Sequence, residues 1–262
     1  MPEATPEEVQ VSAKRPPRPK DKVARALGCW IVAGVIVERL AEAGMVSLLF
    51  ANAPASIAPW GGKVPLYGTD PIAFAAPLPG AAPVVVDIAL SKVARGKILA
   101  ATQTGAPIPE GWAFDPDGNP TTDAHKGLAG TMVPMGDAKG TALALMVEIL
   151  AATLTGANQS PEVSSFFDAE GPPPGVGQLI LAFDTSRVPG AGFGPRLETL
   201  LAAILAQECT RLPGESRLQA RRALEEGQVL YENPPGDGKG NVAPPWKKPI
   251  HNGRSFVKKA LE

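Results

Sequence analysis

Residues 83–97 read PVVVDIALSKVARGK, and this stretch decides the fold. Residues 84–86 are β-branched valines that follow a proline, which predicts a short buried strand. Asp87 ends that strand and, because a carboxylate is costly to bury, it should accept backbone N–H bonds or hold a ligand hydroxyl. The predicted helix that follows brings Arg95 and Lys97 to the same strand end. This pattern fits a site for a nucleotide or an acid substrate, and it also fits a capped and salt-bridged strand–helix junction.

Predicted helices and strands lie on both sides of this stretch. Their hydrophobic periods differ: 3.6 residues for helices, and short continuous apolar runs for buried strands. The predicted elements are a helix over 32–43, a strand over 46–50, a helix from Gly140 to Gly156, a strand over 178–183, and helices over 196–209 and 216–226. This order predicts a mixed α/β fold.

The periodicity also predicts which side chains face the core. In the first helix we expect Val35, Ile36 and Leu40 inside, with Glu38 and Arg39 in water. In the helix after Gly140 the apolar side chains form one broad face, which contains Leu143, Met146, Val147, Leu150, Ala151 and Leu154. The helix over 216–226 carries mostly charge, including Arg221 and Arg222, and is predicted to be a solvated surface.

Composition narrows the possible functions. The 262 residues hold 25 Lys plus Arg and 26 Asp plus Glu, so the net charge of −1 offers no bulk attraction for nucleic acid or an anionic membrane. Two cysteines make no disulfide framework, and no Cys/His group has the spacing of metal ligands. No apolar signal segment is visible near the start, which predicts a cytoplasmic protein.

The two ends differ in composition from the middle. There are 29 prolines and 28 glycines, concentrated in connections and tails, and the tails have few large apolar residues. Such segments bury too little surface to offset their ordering entropy. We therefore predict a core over 26–230, with 1–25 disordered and 231–262 a disordered or divergent tail.

Two common phosphate-binding motifs are absent from the sequence. No G-x-G-x-x-G follows a predicted strand, and there is no G-x-x-x-x-G-K-[ST]. The residues alone therefore support a mixed α/β domain with an anion or nucleotide site.

Several segments, in the same order, resemble the malate/L-lactate dehydrogenase family of the non-Rossmann type, which includes ureidoglycolate dehydrogenase, sulfolactate dehydrogenase and piperideine-2-carboxylate reductase. The similar segments are residues 52–54, 58–62, 67–123, 139–140, 171–178 and 212–215. The resemblance implies a mixed-sheet, layered NAD(P)-binding fold. It also implies a homodimeric oxidoreductase that uses NAD or NADP to interconvert a small 2-hydroxy acid and its 2-oxo acid, or a related imino acid, by hydride transfer.

The resemblance also assigns cofactor-binding residues. Asp87, Ile88 and Ala89 match the nucleotide-contacting strand end of the family, and Arg95 and Lys139 match its cationic contacts. Lys139 lies between glycines at a helix start, where a cation and free N–H groups act together on an anion. The family usually has Asn where this chain has Asp70.

The family's histidines are not matched in this chain. Cys29 stands where one of them would be, and a thiol is a poorer proton donor and acceptor than imidazole at neutral pH. The helical region that carries the other is expected to be missing, so the fold is expected to be N-terminally truncated, and neither His125 nor His251 has a matching context. No catalytic residue is assigned, and the alternative interpretation is an inactive family remnant that at most binds nucleotide.

Overall fold

The computed structural model describes residues 33–168, 171–187 and 192–225. The predicted tails, Cys29 and His251 lie outside these ranges. The main sheet is antiparallel and has the strand order β3-β2-β1-β7. Its strands are β1 (Met45–Ala51), β2 (Ile72–Ala76), β3 (Val84–Ile88) and β7 (Gln178–Asp184).

A smaller antiparallel sheet is formed by residues that follow β3 in the chain. It has the order β5-β4-β6, from β4 (Ala113–Phe114), β5 (Pro120–Thr121) and β6 (Thr131–Met132). Helices α2 (Arg95–Thr104) and α3 (Ala124–Ala129) pack with it around Ile57, Ile98 and Ile108. Asp123 caps α3, because its carboxylate accepts the backbone N–H groups of the first turn.

Helix α1 (Ala33–Glu42) covers one face of the main sheet. Its buried residues are Ala33, Gly34, Val37, Glu38 and Ala41. The helix exists as predicted, but its core face is rotated from the predicted one. The sheet beneath it is lined by small side chains such as Ala73 and Ala75, so the small residues of α1 approach it closely.

Helix α4 (Ala138–Glu148) covers the opposite face and continues as a π-helical turn over Ile149–Thr153. Its buried residues, with those of the π-helical turn, are Gly140, Thr141, Ala144, Val147, Glu148, Ala151 and Ala152. The predicted broad apolar face is therefore wrong in part. Leu143, Met146 and Leu154 are 36%, 38% and 65% exposed.

The remaining helices are α5 (Phe193–Leu205) and α6 (Glu215–Glu225), with short 3₁₀ turns at Ser160–Glu162 and Thr185–Arg187. Strand β7 forms an edge of the main sheet and is largely exposed. The mixed α/β, non-Rossmann fold is confirmed by this architecture. Within the described ranges, no helix has the length and apolar character needed to cross a bilayer.

Candidate functional site

Two backbone segments are joined where the predicted cofactor residues lie. After β3 the chain runs through Ile88, Ala89 and Leu90. The carbonyl of Leu90 accepts the N–H of Met135 at 2.8 Å, and Ser91 forms a bridge with Pro134. The end of β3 is thereby held beside the loop that leads into α4.

Lys139 is the second residue of α4, in its first turn. The loop turns sharply, since Gly136 and Asp137 both have positive φ, and Gly140 packs directly on the carbonyl of Met135. Lys139 and Ile88 are both exposed, and Ala89 is half-buried. The structure thus places three of the predicted cofactor residues along one open edge: a cation at a helix start beside an apolar strand end.

Arg95 lies in a cavity of about 230 Å³ rather than on that open edge. Its guanidinium donates to the carbonyls of Ala55 at 2.9 Å and Leu128 at 3.3 Å, and to the hydroxyl of Ser56. The ring of Phe167 lies 5.8 Å from the guanidinium carbon, within reach of a cation–π interaction. Burial lowers the pKa of Arg95, yet a guanidinium stays charged in proteins, so the cavity holds a partly desolvated cation.

The cavity and the open edge share a backbone contact. Thr69 lines the cavity, and its carbonyl accepts the N–H of Leu90 at 2.7 Å. The cavity walls otherwise come from residues 53–56, 160–161, 163 and 165–167. Among the lining residues, Arg95 is the one ionisable group, and the other polar side chains are hydroxyls.

Asp87 faces the other side of the sheet. Its carboxylate accepts a hydrogen bond from Arg217 of α6 at 3.2 Å, beside Gly34 of α1. A Cβ at Gly34 would lie 2.7 Å from the Asp87 oxygen and 2.5 Å from the Arg217 nitrogen. Asp87 is thus ion-paired, but with Arg217 of α6 rather than with a cation of the predicted strand–helix junction.

Helix α6 makes a second ion pair that sequence reasoning missed. Arg221 donates through two nitrogens to the Glu38 carboxylate of α1, at 3.0 and 2.9 Å. The predictions that Glu38 faces water and that α6 is only a solvated surface are therefore wrong. Contacts this far apart in sequence leave no local signal, although the arginines four residues apart on one helix face were visible.

Among the contacts of the described residues, none joins Arg95 to Asp87 or Lys139. The five predicted residues therefore occupy three places: the open edge, the cavity and the α1 side of the sheet. His125 lies exposed in the first turn of α3.

Comparison with known proteins identifies the family of the chain. Residues 23–233 match the family model of malate/L-lactate dehydrogenase. The chain belongs to the malate/L-lactate dehydrogenase family. The chain is 55% identical over 201 residues to a (2R)-3-sulfolactate dehydrogenase (NADP(+)) of Chromohalobacter salexigens, a match that covers 77% of this chain and 60% of that protein.

Two further proteins are similar to this chain over a comparable share of its length. A Delta(1)-pyrroline-2-carboxylate reductase of Pseudomonas fluorescens is 44% identical over 194 residues, covering 73% of this chain and 58% of that protein. Among solved structures, the delta1-piperideine-2-carboxylate reductase of Pseudomonas syringae has a TM-score of 0.69 at 38% identity, covering 76% of this chain and 60% of that one. The chain thus spans about 60% of the length of the curated relatives it matches.

Proposed function

We propose that this chain binds NAD or NADP and belongs to an oxidoreductase that transfers a hydride between the nicotinamide and a small 2-hydroxy or 2-oxo acid. The observation that carries the proposal is the 55% identity over 201 residues to an NADP-dependent sulfolactate dehydrogenase. A homodimer in the cytoplasm, with no nucleic-acid or membrane partner, is part of the same proposal.

The volume of the Arg95 cavity favours placing the nucleotide at the open edge rather than inside the cavity. About 230 Å³ lies below the range of roughly 300–1,000 Å³ that is typical of pockets for drug-sized ligands. A whole dinucleotide therefore does not fit around Arg95. The open edge is not limited in this way, so the nucleotide would lie there, over Ile88 and Ala89.

The donor set at the open edge suits a phosphate group. The Lys139 ammonium is exposed in the first turn of α4, where the N–H of Lys139 donates to the Gly136 carbonyl at 3.2 Å and the helix start carries a partial positive charge. An anion there meets a positive side chain and the positive end of the helix dipole together. We assign Lys139 the role of holding a cofactor phosphate.

Arg95 and Asp87 would act differently from Lys139. Arg95 fixes residues 55–56 and 128 and offers a desolvated cation to whichever anionic end of the cofactor or substrate enters the cavity. Asp87 orders the strand end through Arg217, so that Ile88 and Ala89 are held in place. The cofactor, when bound, supplies the hydride, while these residues orient it and shield it from water.

Proton transfer is the step that the cavity residues do not provide. Reducing a 2-oxo acid leaves an alkoxide that must be protonated, and a positioned general acid typically contributes about 10²–10⁴-fold. The lining offers hydroxyls and a guanidinium, neither of which titrates near neutral pH. This observation favours the second candidate function, nucleotide binding by this chain without appreciable turnover of its own.

A fluorescence titration with NADPH and NADH tests the binding proposal. Lys139→Ala should weaken binding by about 1–3 kcal/mol, as expected for a lost charge-assisted hydrogen bond. Lys126→Ala, an exposed lysine of α3, is the matched control and should leave the affinity unchanged. Equal affinity of the wild type and Lys139→Ala would remove Lys139 from the site.

A turnover assay separates the two candidate functions. The purified chain is mixed with NADP and sulfolactate or malate, and with NADPH and a cyclic imino acid, and absorbance of the reduced nicotinamide is followed. Binding without turnover is the expected result. Turnover at ordinary enzyme rates would show that this chain provides its own proton donor.

A further inference from the structure

Asp70 stands apart from the other carboxylates described in the structure. It lies in the connection between β1 and β2, and no part of it is exposed. Its backbone is held at φ +35°, an uncommon conformation for a residue with a side chain. The space next to the Asp70 side chain is filled, because Gly68 packs directly on the Asp70 carboxylate and on the carbonyl of Ala53. The chain therefore fixes this side chain in one place.

The two oxygens of Asp70 have different surroundings. Oδ1 accepts the backbone N–H of Ala53 at 3.3 Å. Oδ2 is buried and has no hydrogen-bond partner, the one side-chain atom in this condition among the described residues. A buried carboxylate oxygen without a donor is strongly disfavoured if it is charged. A protonated oxygen in the same position carries no charge to solvate.

A second carboxylate is buried on the same side of the sheet. Glu148, at the end of α4, accepts the N–H of Ser160 at 2.6 Å and its hydroxyl at 2.7 Å. The Ser160 hydroxyl in turn accepts the N–H of Gly68 at 3.0 Å. Both Glu148 oxygens thus have donors, and the network links α4 to the turn at 160 and to the loop that carries Asp70.

The charged groups around Asp70 offer it no compensation. From α4, Glu148 opposes a negative charge on Asp70. From the turn, Glu162 is exposed and accepts the N–H of Gln159. From α2, the Arg95 guanidinium lines the neighbouring cavity but donates to Ala55, Ser56 and Leu128. Burial first, and then Glu148, raise the pKa of Asp70 well above its ordinary value.

We propose that Asp70 is a proton switch: it carries a proton in the folded chain, and losing that proton loosens the wall of the Arg95 cavity. Three lining residues are connected to it, one of them by a hydrogen bond. Ala53 donates to Asp70, Thr69 precedes it, and Ser160 is tied to the same network through Gly68. Because Thr69 also accepts the N–H of Leu90, the switch reaches the open edge beside Lys139 as well.

The direction of the pH effect follows from proton linkage. A carboxyl group whose pKa is raised in the folded state binds its proton more tightly there than in the unfolded chain. The folded state is then favoured at low pH, and stability falls as pH rises from about the unfolded value of 3.8 to the raised folded value. Above the folded value the loss is complete and the curve is flat.

Denaturant unfolding across pH tests the proposal on the full chain. Asp70→Asn keeps the acceptor for Ala53 and removes the titration. Relative to this variant, the unfolding constant of the wild type should rise about tenfold per pH unit through the window, since one proton is involved. Asp117→Asn, at an exposed turn, is the matched control and should follow the wild type. Parallel curves for the wild type and Asp70→Asn would overturn the proposal.

Two further measurements separate a switch from a general loss of stability. Hydrogen exchange should accelerate with pH at the amides of Ala53, Gly68 and Ser160, beyond the intrinsic rise, in the wild type and not in Asp70→Asn. In infrared spectra, the carbonyl band of a protonated acid should persist in the wild type above the ordinary carboxyl pKa of 3.8, and this band should be absent from the spectra of Asp70→Asn. Loss of the band from the wild type at that ordinary value would show that Asp70 is not held protonated and that the proposal is wrong.

A second variant guards against failure of Asp70→Asn to fold. Glu148→Gln removes the neighbouring negative charge, so the infrared band should vanish at a lower pH than in the wild type. An unchanged midpoint would show that Glu148 does not act on Asp70. None of these measurements uses a nucleotide, so their outcome does not depend on whether the proposed cofactor site is correct.

Discussion

The acidic side chains on the two faces of the main sheet have different kinds of hydrogen-bond partner. On the α1 side, Glu38 and Asp87 each meet an arginine of α6, at 2.9 and 3.2 Å. On the α4 side, Glu148 and Asp70 receive only hydroxyl and backbone donors, and one oxygen of Asp70 receives none. The first arrangement pairs each acid with a cation, whereas the second leaves one buried oxygen of Asp70 without a donor.

The acids on the two faces therefore differ in role: those on the α1 side attach a helix, and those on the α4 side respond to pH. The α1 side uses paired charges to fasten a C-terminal helix, and such pairs are partly screened because Arg217 and Arg221 are 46% and 39% exposed. The α4 side places its acids beside the cavity, where screening is weak. Changes on the α1 side should therefore respond to salt, and changes on the α4 side to pH.

The largest expected effect tests whether the two faces are equally packed. Leu49 lies in the α1-side core and Leu90 in the α4-side core, and both are fully buried. Leu49→Ala and Leu90→Ala should each lower the free energy of unfolding by about 2–5 kcal/mol, because each leaves a cavity. Chemical denaturation measures both. Leu145→Ala, at a side chain that is 46% exposed, should stay within about 0.5 kcal/mol of the wild type.

The next effect concerns the bidentate pair of the α1 side. Glu38→Gln removes the charge that holds Arg221 and should destabilise the protein by about 1–2 kcal/mol, since the Glu38 side chain is 10% exposed while Arg221 remains in contact with water. Thermal unfolding is the measurement. Glu42→Gln, exposed on the same helix, is the control. An equal effect of both variants would mean that α6 is not fastened through Glu38.

A smaller effect is expected at the second pair. Both partners are partly exposed, at 46% for Arg217 and 23% for Asp87, so Arg217→Gln should cost only about 0.2–1 kcal/mol of stability. If Asp87 instead serves the cofactor directly, this variant should strengthen NADPH binding by freeing the carboxylate. The same two assays on one protein preparation distinguish these outcomes.

The smallest effect sharpens the contrast in screening. The Debye length falls from about 30 Å at 0.01 M salt to about 3 Å at 1 M. The stability difference between the wild type and Arg217→Gln should shrink by a few tenths of a kcal/mol over this range. The difference between the wild type and Asp70→Asn, measured at neutral pH, should change less because Asp70 is fully buried.

Much of the framework was readable from local sequence. Strands β1, β3 and β7 exist close to the predicted bounds because each is a clear apolar run, and each predicted helix has a counterpart, although α5 covers Phe193–Leu205 instead of 196–209. Strand β2, rich in alanine, was not predicted. The two-residue strands β4 to β6 were also missed, because pairing in three dimensions creates them rather than any run of side chains.

The helix faces and the candidate site were less predictable. Choosing the largest side chains as core placed Leu40 and Leu143 inside, whereas the observed faces use Ala41 and Ala144 because close helix–sheet contact needs small residues. Glu38 looked solvated because its partner Arg221 lies on a distant helix. Asp70 was recognised only as an unusual charge, and its burial depends on Gly68 and Glu148 together.

The position of β7 has a consequence for how the protein is made. Within the described part of the chain, strand β7 pairs only with β1, where Leu48 meets Leu181, while β2 and β3 follow β1 closely along the chain. During synthesis, at roughly 5–20 residues per second, the β1–β2–β3 meander ends at Ile88, about 90 residues before its fourth strand begins at Gln178. For that interval the outer edge of β1 is open to any other extended chain. A chaperone that shields this edge should therefore raise the yield of folded protein more than one that acts after release.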